Sequence, residues 1–137
     1  DHAVEMCLEA EALFLRINHQ SAAQARQRLA RIDLHRGQYL DALRSIRQLF
    51  GGAIQPMDEP SFRLAEVLAL AGIGDWEAAA LAFEPAVEGI THRGRQEPDD
   101  VWLFDEIATR ADGVGRAEMA RICRQLAPTQ LRVIKAA

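Results

Sequence analysis

The sequence predicts an all-α fold, a right-handed stack of helix-turn-helix pairs with about seven helices and no strands. Three observations predict it. A short motif returns along the chain, first as Gly37, Tyr39, Ala42, Leu43 and Ile46, then as Gly74, Trp76, Ala79, Ala80 and Phe83, and more weakly as Gly115, Ala117, Ala120 and Arg121. Glycine stops one helix, the large residue wedges the next helix against it, and the alanine lets the two axes come close. Between the glycines, apolar residues fall at i, i+3, i+4 and i+7, the period of a half-buried helix. A composition that is 49% hydrophobic over 137 residues suffices for one core, so residues 1–137 are read as a single domain.

The first helix, His2 to Ile17, has no Gly or Pro and is rich in strong helix formers. Met6, Ala10, Leu13, Phe14 and Ile17 make one stripe, while Val4, Leu8 and Leu15 lie off it. A helix apolar on two sides invites a homodimer contact or further repeats upstream, and it stands as an extra helix over 1–20. Ser21 with Gln24 forms a capping-box signature for a second helix, which buries Ala25, Leu29 and Ile32. Gly37 ends it, and Tyr39 to Leu49 is a third helix stopped by Gly51 and Gly52, closing a pair over 21–52.

A loop over 53–59 leads to a second pair over 58–90. Asp58, Glu59 and Pro60 start the fourth helix, and Leu64, Val67, Leu68 and Ala71 are its stripe. Asp75 is a good N-cap for a fifth helix. Pro85 removes a backbone donor and clashes one turn back, so a kink or restart is expected near Glu84 if the fifth helix continues to Glu88. Residues 89–97, with His92, Arg93 and Arg95, read as a solvated loop. Pro98, Asp99 and Asp100 repeat the earlier start signal. Phe104, Ile107, Ala108 and Ala111 give a sixth helix, and Ala117, Ala120, Cys123 and Leu126 a seventh that stops before Pro128. These form a pair over 98–127, and the tail over 128–137 caps the stack or leads onward.

Composition excludes several classes. The net charge of −4, from 16 basic and 20 acidic residues, lacks the excess that a phosphate backbone requires, so neither nucleic acid nor an acidic membrane is an expected partner. No apolar run approaches the roughly 20 residues of a membrane span, and no basic then apolar segment opens the chain. A cytoplasmic setting is expected, with Cys7 and Cys123 reduced. The start at Asp1, without methionine, leads to the expectation of a segment of something longer.

Catalytic constellations are not expected. His2, His19, His35 and His92 have no metal-ligand spacing with each other or with either cysteine. Ser21, Ser45 and Ser61 lack a glycine elbow, and acid pairs such as Glu9 with Glu11 or Asp99 with Asp100 sit where helix starts and solvation explain them. The glycines at 72–74 and 113–115 follow no strand and precede no Lys-Ser/Thr pair, so they are helix stops rather than phosphate loops. No enzyme and no cofactor is expected.

On these residues the chain resembles a divergent tetratricopeptide repeat, an α-solenoid unit of about 34 residues. Phe104, Ile107, Ala108, Ala111, Gly115 and Ala120 fall on its frame in register, with Ala117 where the turn aromatic belongs. Leu29, Ala30, Gly37, Tyr39 and Ala42 match in the first pair, with Arg26 at the first large position. The middle pair fits if one residue is deleted before Gly74, and the turn glycines stand 37 and then 41 residues apart. Residues 9–43 look like the helical-repeat region of LuxR- and MalT-type bacterial regulators, which docks or senses partners. Arg28 to Leu43 followed by Asp58 to Trp76 is similar to the small chaperones of type III secretion.

The resemblance implies a concave groove for an amphipathic helix or extended peptide of a protein partner. Carried over position by position, it is lined by Gln24, Gln27 and Arg31, by Phe62, Ala65 and Ala69, and by Trp102, Asp105 and Thr109. Phe62 and Trp102 would anchor the ligand unless they pack between helices, and Arg31 and Asp105 would set polarity. The lysine and asparagine clamp for a terminal carboxylate is absent, with Gln27 and Arg31 in its place.

Overall fold

The recurring glycine motif builds one turn three times. Gly37, Gly74 and Gly115 have φ of 75°, 86° and 77°, a left-handed conformation that side chains disfavour. At each, the following amide donates back across the turn: Gln38 to the Asp33 carbonyl at 2.7 Å, Asp75 to Leu70 at 2.9 Å, and Arg116 to Ala111 at 2.8 Å. The glycine amides themselves donate to Leu34, Ala71 and Asp112. This satisfies carbonyls that a helix end leaves exposed, and Ala42, Ala79 and Ala120 then open the next helix on the carbonyls of 38, 75 and 116.

The computed structural model describes residues 2–17, 19–52, 54, 56, 58–94 and 98–136, with side chains described except at 14–22, 98 and 128–136. Among the described residues there are seven helices and no strand: α1 (His2–Ile17), α2 (His19–His35), α3 (Tyr39–Phe50), α4 (Glu59–Gly72), α5 (Trp76–Arg93), α6 (Pro98–Gly113) and α7 (Ala117–Ala136). No described helix is long and apolar enough to cross a membrane. The chain divides into two compact units, Asp1–Pro56 and Met57–Ala137, parted within the expected 53–59 loop.

In the first unit α2 packs against both α1 and α3. Leu29, Ala30, Leu34, Leu43, Ile46 and Leu49 are buried, whereas Ile32, expected inside, is half-buried. Arg26, at the position where the repeat frame carries a large apolar residue, donates to Glu11 of α1. The ion pair takes the place of apolar packing and ties the extra helix to the pair. The capping box at Ser21 lies outside the described side chains, and α2 starts at His19.

In the second unit α4 packs against α5 and α6, and α6 against α7. Leu64, Val67, Phe104, Ile107 and Ala111 are fully buried, as the stripes require. Asp75 caps α5 by accepting from the Ala78 amide at 3.2 Å. Where Gly89 passes Pro60, an added Cβ would stand 3.2 Å from the proline ring, so glycine is what lets α5 lie this close to the start of α4.

Two helices run further than proline rules suggest. α5 continues through Pro85 to Arg93 instead of ending at Glu88, so His92 and Arg93 belong to a helix and not to a loop; Arg95 lies outside the described residues. Pro85 sits on an exposed face, and Leu81, whose carbonyl loses its donor, is 79% exposed, so water can take the bond. Gly94, at φ 71°, then ends α5 with its amide on the Ile90 carbonyl. α7 likewise passes Pro128 and reaches Ala136, beyond the expected stop.

Candidate functional site

Arg93 shows why α5 holds its last turn. Its side chain is 8% exposed and donates to Asp100 Oδ2 at 2.7 Å and to Ser61 Oγ at 3.1 Å. Asp100 is 0% exposed. One guanidinium thus joins the end of α5 to the first turns of α4 and α6, a fork that suits several oxygens at once. The two acids expected at the α6 start therefore part company, since Asp100 faces inward.

The nine groove positions fall into two groups. Gln24 and Arg31 are exposed and Gln27 half-buried on α2 in the first unit. On α4, Phe62, Ala65 and Ala69 are 2%, 4% and 0% exposed, so a partner reaches none of them without displacing packed side chains. On α6, Trp102 is half-buried, and Asp105 and Thr109 are exposed, with the Thr109 hydroxyl turned back onto the Asp105 carbonyl at 3.0 Å. Of the two aromatic anchors the resemblance implies, only Trp102 keeps surface.

A different pair of helices opens a cleft. α4 and α6 pack directly on each other and each carries its own second helix, α5 and α7. Between α5 and α7 lies a cleft of about 920 Å³. Phe83 and Val87 of α5 and Met119 and Ile122 of α7 give it an apolar lining, with Ala80 and Ala117 keeping it wide. Phe83 and Met119 are each 7% exposed, while Val87 and Ile122 are half-buried and face the opening. From Ala80 to Glu88 the lining follows α5 for about 12 Å, roughly two helical turns.

The rim is charged. Glu84 and Glu88 on α5 and Glu118 on α7 are exposed around the apolar lining. Arg121 hydrogen-bonds both Glu118 oxygens, at 2.5 and 3.0 Å, and holds that carboxyl below its ordinary pKa. Arg116 also lines the cleft but lies over the Trp76 ring, 5.7 Å from its centroid, where the ring face attracts the cation. Trp76, the turn aromatic of the repeat motif, therefore fixes one end of the opening.

Burial pushes the Cys123 thiol up to about 12, far from a reactive thiolate. Among the described residues no group of three or more His, Cys, Asp or Glu could hold a metal ion. No family model, curated protein or solved structure matches the chain.

Sequence reasoning did not find the α5/α7 cleft. Val87 and Ile122 are apolar residues off the core stripes of their helices, and that mismatch is the signal it offered. A buried acid in the first unit, Asp33, also went unnoticed. It stands in the last turn of α2, where the helix dipole disfavours negative charge.

Proposed function

We propose that this chain is a protein-interaction module whose α5/α7 cleft seats an amphipathic helix of a partner. The observation that carries the reading is the apolar lining bordered on the α5 side by Glu84 and Glu88, with Glu118 of α7 already held by Arg121. An apolar surface of this kind on a folded chain gains free energy when covered, and a length of two turns suits anchors at i, i+3 or i+4, and i+7. The glutamates favour a helix that flanks its apolar stripe with Lys or Arg, and like charge rejects an acidic one. The three equivalent turns support an arrangement of tetratricopeptide type, and with it a docking segment of a larger bacterial regulator of the LuxR and MalT kind.

A model peptide tests the binding reading directly. A helix with leucine anchors and lysine flanks, titrated against the chain, is expected to bind saturably and to alter Trp76 fluorescence through Arg116. Glutamate flanks should weaken binding at least about tenfold. Met119→Asp, checked by circular dichroism for retained helix, should abolish it. Equal binding of both peptides, or undiminished binding to the variant, would remove the cleft from the site. The intact mass of the native polypeptide separates the regulator from a free-standing secretion chaperone.

A further inference from the structure

The first unit contains a second cleft of different character, about 340 Å³, lined by α1, α2 and α3. That volume lies at the lower end of the range for small-molecule sites. Val4 and Leu8 of α1 with Leu29 of α2 form an aliphatic wall. Arg26 and Asp33 of α2 and Asp41, Arg44, Ser45 and Gln48 of α3 supply the polar part of the lining.

Two of these polar residues have little exposed surface. Asp33 is 5% exposed and Ser45 4% exposed. Among the described residues no donor reaches the Asp33 carboxylate, and the Ser45 hydroxyl has no hydrogen-bond partner. A buried carboxylate ordinarily recruits a cation or several donors. Here the surrounding charges do the opposite. Burial, and after it the charge of Asp41, holds the Asp33 carboxyl above its ordinary pKa. The two arginines that line the cleft are directed elsewhere, Arg26 to Glu11 and Arg44 to Asp41 at 3.7 Å.

We propose that this cleft binds a small aliphatic ammonium ion, with Asp33 as its counter-charge. A primary ammonium carries three N–H donors, which match the Asp33 carboxylate, the Ser45 hydroxyl and the Gln48 side-chain carbonyl. The attached alkyl chain lies along Val4, Leu8 and Leu29. A metal ion does not fit, because no described group of three ligating side chains exists to surround it. This site lies within the first unit and does not depend on the α5/α7 cleft.

The test is a titration of the whole chain, followed by amide NMR, with n-butylammonium chloride and separately with n-butanol, which has the same shape without the charge. The ammonium is expected to give saturable shifts at Asp33, Ser45 and Leu29, and the alcohol none. Asp33→Asn should weaken the ammonium at least about tenfold, and Ser45→Ala by about threefold. Equal responses to ammonium and alcohol, absence of saturation, or full affinity in Asp33→Asn would overturn the proposal. The contrast between ammonium and alcohol on the unaltered chain stands even if a variant fails to fold. Titration with N-acetyl-lysine methylamide distinguishes the source of the cation. Tighter binding than n-butylammonium assigns the site to a partner's lysine side chain, and weaker binding assigns it to a free amine.

Discussion

Among the described residues each unit buries one aspartate, and the two are treated differently. Asp100 in the second unit is fully buried and receives Arg93, which also bonds Ser61. Asp33 in the first unit is nearly as buried, but the arginines lining its open cleft pair with Glu11 and Asp41 instead. A buried charge needs compensation, and where the protein supplies it the charge is structural. Where the protein does not supply it, a raised pKa, solvent or a ligand must do so.

The largest effect that tests this contrast is expected in the second unit. Arg93→Ala strands Asp100 in a dry interior and should cost about 3–5 kcal/mol of stability, read from urea denaturation at neutral pH. Replacing both partners, Arg93→Met with Asp100→Leu, should restore most of it, because no buried charge is then left alone. A loss under about 1 kcal/mol for Arg93→Ala would show that Asp100 does not depend on its partner, and the contrast with Asp33 would fail. A smaller effect is expected at Ser61. Ser61→Ala removes one acceptor from the guanidinium and leaves the ion pair in place, so about 1 kcal/mol is expected by the same measurement. A loss as large as that of Arg93→Ala would mean that the hydroxyl, and not the ion pair, anchors the end of α5.

The contrast itself was only partly legible in the sequence. The seven helices, the three glycine turns and the Asp75 cap follow from local rules, because a left-handed glycine and an N-cap acid act on backbone groups within a few residues. The long reach of α5 was not legible. Proline rules count the lost bond at Pro85, but they do not count Arg93 binding two other helices eight positions later. Nor does periodicity reveal a cleft. The repeat frame places Phe62, Ala65 and Ala69 on a groove, yet the packing of α4 covers all three and parts α5 from α7 instead. Asp33 reads as one more polar residue near a helix end until its burial is known.

The smallest effect is expected at Asp33, and it appears as a slope with pH rather than as a single loss. Burial and Asp41 raise the folded-state pKa of Asp33 above its ordinary value of 3.8, so the folded chain holds this proton more tightly than the unfolded chain does. The contribution of Asp33 to stability is therefore full below about pH 3.8 and is lost as pH rises through the folded-state pKa. Asp112 and Glu118, whose pKa values are lowered by Arg124 and Arg121, act in the opposite sense. They are common to wild type and Asp33→Asn, so they cancel in the difference between the two. That difference should grow in favour of Asp33→Asn across the window and then level off. Saturating n-butylammonium above the window should raise the midpoint of wild type and leave Asp33→Asn where it was, since a ligand stabilises only the state that binds it. A flat difference across the window would mean that Asp33 is solvated as Asp41 is, and the two buried acids would then differ in exposure rather than in purpose.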